Sequence, residues 1–110
     1  MIMEFSKIKE EVMSVSYKEI RCEKDDYFEA VLVKEKVPSL LAKLDALFGS
    51  CAYPSPKGIP SQAEAVIGKF GGIMKGQTLY FSDNNGSPVF AMLWPWQDKE
   101  NITLKLGRKG

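Results

Sequence analysis

Apolar residues recur along this chain with two different periods, and the switches between them lay out its elements. Phe5, Ile8, Val12 and Val15 stand three and four apart, with Lys7, Lys9, Glu10 and Glu11 mostly on the other side, which predicts an opening amphipathic helix. From Tyr17 to Cys22 the pattern shortens toward alternation and ends in the charged cluster Glu23, Lys24, Asp25 and Asp26, a short strand followed by a turn. Tyr27 to Lys34 is a β-branched and aromatic run bounded by charge, and reads as a second strand in hairpin with the first. Pro38 stands at the start of the next helix, whose Val37, Leu40, Leu41, Leu44, Leu47 and Phe48 fall within an arc of about 120°. Gly49 supplies its stop.

Between Gly49 and Pro60 the periodicity vanishes, and three prolines with Gly58 predict an irregular connection. Ser61 and Glu64 have the spacing of a capping box, and Ala63, Val66, Ile67 and Phe70 give the third helix its apolar stripe before Gly71 and Gly72 end it. Thr78–Ser82 and Val89–Trp94 are strand-like runs joined through Asp83 to Pro88, where the pair Asn85-Gly86 suits a tight hairpin turn. Ile102, Leu104 and Leu106 alternate with Thr103 and Lys105, a last strand with one dry and one wet face, and Trp94 to Asn101 forms the turn before it.

The order α-β-β-α-α-β-β-β lacks the strand–helix alternation that builds parallel sheets, so the expected fold is α+β, an antiparallel sheet of about five strands with three helices. The strand holding Phe90, Met92 and Trp94 also carries Val89, Ala91 and Leu93 on its other side, so both of its faces must be covered, by helices or by a second copy of the chain. One domain over residues 1–110 is expected from the length.

Composition changes this picture mainly by subtraction. Histidine is absent, which removes His-activated serine or cysteine nucleophiles and His-ligated zinc from consideration. Cys22 and Cys51 are far apart and lack paired-cysteine spacing, which points to a reducing, cytoplasmic setting. Charged residues interrupt the opening helix where a signal peptide needs an apolar core, and no apolar run has the length of a membrane span. No catalytic constellation, cofactor motif or metal-ligand spacing appears.

The candidate chemistry concentrates in the turn Trp94-Pro95-Trp96-Gln97-Asp98. Two indoles flank a rigid proline, and tryptophan offers a broad apolar plane with one N–H donor, suited to anchoring a partner. Strand phase assigns Trp94 to the core with Phe90 and Met92, which leaves Trp96, Gln97 and Asp98 as the contact residues. Tyr53, beside Pro54 in the long connection, is the second aromatic candidate. Cys51 follows a helix C-terminus, whose negative dipole end disfavours a thiolate, and reads as inert. Asp83 and Asp98 sit in turns, where aspartate commonly caps backbone N–H groups.

The leading expectation is therefore a non-enzymatic binding or protein-interaction module, with self-association to a homodimer as one form of it, using an aromatic surface near Trp96. A small-molecule ligand is a further option, and no membrane contact is expected. The first alternative is weak nucleic-acid binding through Lys69, Lys75, Lys105, Arg108 and Lys109, a modest basic excess toward the C-terminal end. The second is a small carboxylate- or cysteine-dependent enzyme.

Overall fold

A computed structural model describes residues 4–49, 51–54, 58–59 and 61–108. Three helices, α1 (Phe5–Met13), α2 (Val37–Phe48) and α3 (Ser61–Ile67), accompany five strands: β1 (Glu19–Glu23), β2 (Tyr27–Val33), β3 (Thr78–Ser82), β4 (Val89–Pro95) and β5 (Asn101–Arg108). The expected α+β class and the order α-β-β-α-α-β-β-β are both present. All neighbours in the sheet are antiparallel, in the order β1-β2-β5-β4-β3, so the last strand in sequence is the central one in space.

Register sorts the side chains onto two faces, because residues paired across antiparallel strands point the same way. On the first face Phe28, Leu106, Ala91 and Tyr80 form one row and Ala30, Leu104 and Leu93 the next. Phe5, Ile8 and Val12 of α1 and Leu40 and Leu44 of α2 pack onto these rows in the larger core. Lys9 of α1 reaches across to Glu23 of β1 at 3.1 Å. On the second face Phe90 and Met92 of β4 and Leu79 of β3 meet Ala63, Val66 and Ile67 of α3. Both sides of β4 are thus covered by helices of its own chain, which accounts for its doubly apolar pattern without a second copy.

Two local features differ from expectation. The β3–β4 connection is a 3-10 turn over Asn84–Gly86, with positive φ at Asn84 (50°) and Gly86 (92°), where the pair Asn85-Gly86 predicts a tight hairpin turn. Asp83 caps it by accepting from the Gly86 N–H, so six connecting residues give the chain time to turn without the tightest geometry. The connection before α3 is also not wholly irregular. Ala52 and Tyr53 donate to the Leu79 carbonyl and Leu79 N–H donates to Tyr53, which covers the outer edge of β3. The Tyr53–Pro54 peptide bond is cis. Ser50, Ser55, Pro56, Lys57 and Pro60 of this connection, and Lys109 of the proposed basic set, lie outside the described residues.

The remaining free edge is β1. A bulge at Arg21 switches parity there, so that Ile20 pairs with Ala30 on the first face and Cys22 with Glu29 on the second. Bulge and charge together discourage continuation of the sheet into a neighbouring chain.

Candidate binding surface

α3 is short and covers only the β3–β4 half of the second face. Over β1, β2 and β5 that face has no helix among the described residues, and its rows read Glu19, Val31, Thr103, Trp94 and then Cys22, Glu29, Lys105, Met92. Val31 and Thr103 are nonetheless buried. Long side chains reaching over from the ends and edges of the sheet do this work in place of a helix.

Trp96 is one of them. It leaves the end of β4 and turns back, so that its indole N–H donates to Thr103 Oγ1 at 2.8 Å. Arg21 lies over its ring, 5.5 Å from the centroid, and also donates to Glu19 at 3.2 Å. The side chain is held at its one polar atom and on one face, yet 36% of the residue remains exposed. Ile20 and Met74 are the other large apolar residues exposed among those described.

The turn that carries Trp96 is itself fixed. Asp98 Oδ1 accepts from the N–H groups of Glu100 (2.8 Å) and Asn101 (3.0 Å), and Oδ2 accepts from the Asn101 amide at 2.6 Å. These bonds, led by the one from the Glu100 N–H, hold the Asp98 carboxyl below the usual carboxylate range. Lys99 adopts φ 62° and the Trp96 N–H returns to the Asn101 carbonyl at 2.8 Å. Asp98 therefore supports the turn from within. Gln97 is exposed beside it.

Tyr53 belongs elsewhere. Through Leu79 it is level with Met92, four residues before Trp96 on β4, and so roughly 13 Å back along the strand. It packs, half-buried, against the smaller core formed with α3, while Trp96 turns the opposite way across β5. The two aromatic candidates serve separate surfaces.

At the other end of the uncovered half, Tyr27 stacks on Phe70 with ring centroids 5.3 Å apart, and Phe70 packs against Phe90 at 4.8 Å. The Tyr27 hydroxyl donates to Glu29 Oε1 at 2.5 Å, and burial together with this carboxylate raises the phenol's pKa. Trp94 is half-buried against the smaller core, with the Lys105 ammonium 3.7 Å from its ring centroid. Arg21, Thr103, Lys105 and Glu29 complete this surface, and the sequence pattern does not single them out for it. The alternation of Thr103 and Lys105 with apolar neighbours marks their face, but nothing along the chain marks a bulge at Arg21.

The five basic residues of the nucleic-acid reading are dispersed. Lys105 lies on the second face, whereas Arg108, three residues along β5, has the opposite parity and sits over Phe5 of α1, 6.0 Å from the ring centroid. Lys69 and Lys75 are exposed, and Lys109 lies outside the described residues. Near Arg108 a cleft of about 470 Å³ opens between Glu4, Lys9, Asp25 and Val89, but its Lys9 is already engaged by Glu23 and the Lys24 carbonyl. Cys51 packs, half-buried, against the larger core. No group of three or more Cys, Asp or Glu placed to hold a metal ion occurs among the described residues, and no helix among them is long and apolar enough to cross a membrane.

Comparison with models of protein families, with curated proteins and with solved structures finds no significant match to this chain.

Proposed function

We propose that this chain is a non-enzymatic binding module that meets a protein partner through the Trp96 surface, on the part of the sheet face that α3 leaves uncovered. The observation that supports this reading is the combination of exposure and fixation at Trp96: more than a third of the residue is open, while Thr103 and Arg21 hold its indole. An aromatic side chain ordered before binding loses little rotamer freedom when a partner closes over it. Tryptophan and arginine are also the residue types that most often dominate contact energies. The Asp98 bonds serve the same end by keeping the supporting turn in one geometry.

Self-association is the special case in which the partner is a second copy. The bulged and charged β1 edge favours contact through the face over sheet extension. The nucleic-acid reading is weaker because Lys105 and Arg108 project to opposite sides of β5.

The test is an unbiased pull-down with the intact chain and with Trp96→Ala, alongside light scattering across a concentration series. Loss of the same partner from Trp96→Ala, with its circular dichroism unchanged, supports the reading, and a concentration-dependent mass that vanishes in the variant identifies the partner as a second copy. Retention of every captured protein by folded Trp96→Ala, with no change in mass, rejects it.

A further inference from the structure

Trp94 and Lys105 sit together where the chain leaving α3 crosses the second face. Lys105 Nζ lies 3.7 Å from the Trp94 ring centroid and donates to the Phe70 carbonyl at 3.0 Å. An ammonium has three N–H groups. Here one goes to a neutral carbonyl, and among the described residues no carboxylate is ion-paired with Lys105. Glu29 stands opposite Lys105 in the β2–β5 ladder, but its Oε1 accepts from the Tyr27 hydroxyl. Trp94 Nε1 is buried and meets no acceptor among the described residues. Buried N–H groups are nearly always paired, and leaving one unpaired costs stability. A cation that forms no ion pair and an unpaired second donor thus share one neighbourhood among the described residues, while the Glu29 carboxylate across the ladder is bonded to Tyr27.

The segment lying over them is rich in glycine. Gly71, Gly72 and Gly76 all have positive φ (103°, 73° and 89°). A Cβ at Gly71 would overlap Trp94 Cη2 and come within 3.0 Å of Cζ2, so only glycine lets this backbone rest on the indole. Two of the hydrogen bonds between Gly71 and Gln77, Gln77 N–H to the Met74 carbonyl and Met74 N–H to Gln77 Oε1, are internal to the segment. Lys105 to the Phe70 carbonyl ties its start to the sheet, Gly72 N–H to the Ile67 carbonyl at 3.0 Å ties it to the end of α3, Ile73 packs on the smaller core, and Met74 is 69% exposed. Phe70, packed between Tyr27 and Phe90, anchors its near end, so the strap over residues 71–76 opens by giving up the Lys105 and Gly72 bonds and the Ile73 contact, a local opening rather than an unfolding.

We propose that Trp94 and Lys105 form a binding site for a carboxylate group, reached when the strap over residues 71–76 lifts. The carboxylate takes hydrogen bonds from Lys105 Nζ, in place of the Phe70 carbonyl, and from Trp94 Nε1. A carboxylate is acceptor-only, planar and charged, so one oxygen serves each donor, and its bond to the ammonium joins opposite charges where the bond it replaces has an uncharged acceptor. Its source is either a free organic acid or an acidic side chain of a bound peptide. Trp96 is not part of this site, and the test removes it.

In ¹⁵N-labelled Trp96→Phe protein, Trp94 supplies the sole indole N–H resonance. Succinate and, separately, a glutamate-rich peptide are titrated at constant ionic strength, with chloride as the reference. The expected result is a saturable downfield shift of the Trp94 indole proton in at least one arm. Saturation by succinate identifies a free acid, and saturation by the peptide alone identifies a partner's carboxylate. Lys105→Met should weaken binding by roughly tenfold or more. Gly71→Ala, which props the strap off the indole, should tighten it severalfold, because the closed form no longer competes. Should that variant fail to fold by circular dichroism, Gly72→Ala takes its place, since a Cβ there meets nothing within 4 Å and only its φ of 73° is strained. No saturable shift in either arm, or an undiminished shift in Lys105→Met, overturns the site. Unchanged affinity in the folded glycine variant overturns the strap.

Discussion

At Gly107 the central strand has no room for a single added carbon. It lies in the central strand β5, paired with Tyr27 of β2 on one side and Phe90 of β4 on the other. A Cβ at Gly107 would stand 2.7 Å from Phe90 Cζ, 3.0 Å from Phe90 Cε1 and 3.1 Å from Tyr27 Cδ1. Carbon atoms settle at about 3.5–4.0 Å, so both rings would have to retreat by roughly 0.5–1 Å. Phe90 is fully buried and already packs on Phe70 at a centroid distance of 4.8 Å, while Tyr27 is stacked on that same Phe70. Neither ring has room to yield without displacing the third. Overpacking of this kind costs about 1–3 kcal/mol. With a urea dependence of about 1–3 kcal/mol per molar for a small domain, the Gly107→Ala midpoint should fall by roughly 1 M while the slope of the transition stays the same. Urea titration followed by far-ultraviolet circular dichroism measures both. A midpoint equal to or above that of the parent would refute the claim that the three rings converge on the missing side chain.

Gly68, by contrast, follows α3 without a positive φ, and a Cβ added there would meet nothing within 4 Å, so Gly68→Ala should raise stability by about 0.4–1 kcal/mol in the same titration. Tyr80 donates to Asp45 Oδ1 at 2.6 Å and joins β3 to α2; Tyr80→Phe should lower stability by about 1 kcal/mol, and an unchanged urea midpoint would show that the bond contributes nothing. Burial raises the phenol pKa of Tyr17, Tyr27 and Tyr80 above the value near 10 of an unfolded chain, with Glu29 and Asp45 adding to the effect at the last two. The folded protein therefore keeps protons that the unfolded chain releases, and stability should be intact below about pH 10 and decline as pH rises beyond it. Absorbance at 295 nm with parallel circular dichroism checks this, and ordinary titration of these three phenols in a folded protein contradicts it. Asp98 has the opposite sign: its folded pKa is depressed, so its contribution is present above the unfolded value of about 3.9 and is lost as pH falls through the folded one. Acid denaturation of Asp98→Asn should therefore be less steep than that of the parent over this range, and coincident acid curves would refute the assignment.

The elements were legible because their causes are local. The three-and-four spacing of Phe5, Ile8 and Val12 and the alternation of Ile102, Leu104 and Leu106 each reflect one buried face, whichever neighbour buries it. Sheet order was not legible, since β5 could have lain at an edge with the same alternation; its position between β2 and β4 depends on partners far away in the chain. The Trp96 turn could be picked out from composition alone, but not its geometry, because the atoms that hold the indole belong to Arg21 and Thr103 on two other strands. Asp98 behaves as turn aspartates commonly do, binding its own backbone. In the sequence Gly71 marks only a helix stop. Its approach to Trp94 had no signal, because contact between a loop backbone and a ring leaves no period.

The division between the two tryptophans follows from where β3 ends. The last β3–β4 pair is Thr78 with Leu93, so β4 runs on for Trp94 and Pro95 with β5 alone beside it. Proline lacks the N–H that a central strand requires, and Pro95 stands where β4 has a neighbour on one side only. Beyond the reach of β3, Trp94 would leave one flank of its indole to water, and the glycine strap crosses at that point instead, bringing the Phe70 carbonyl to Lys105. Trp96 is past both the strand and the strap, and its supports among the described residues come from the other direction, Thr103 of β5 and Arg21 of β1. The same shortfall of one strand thus places one indole beneath a movable cover and the other on the open face. Extending β3 by two residues would close the first arrangement, while the second would keep both of its supports.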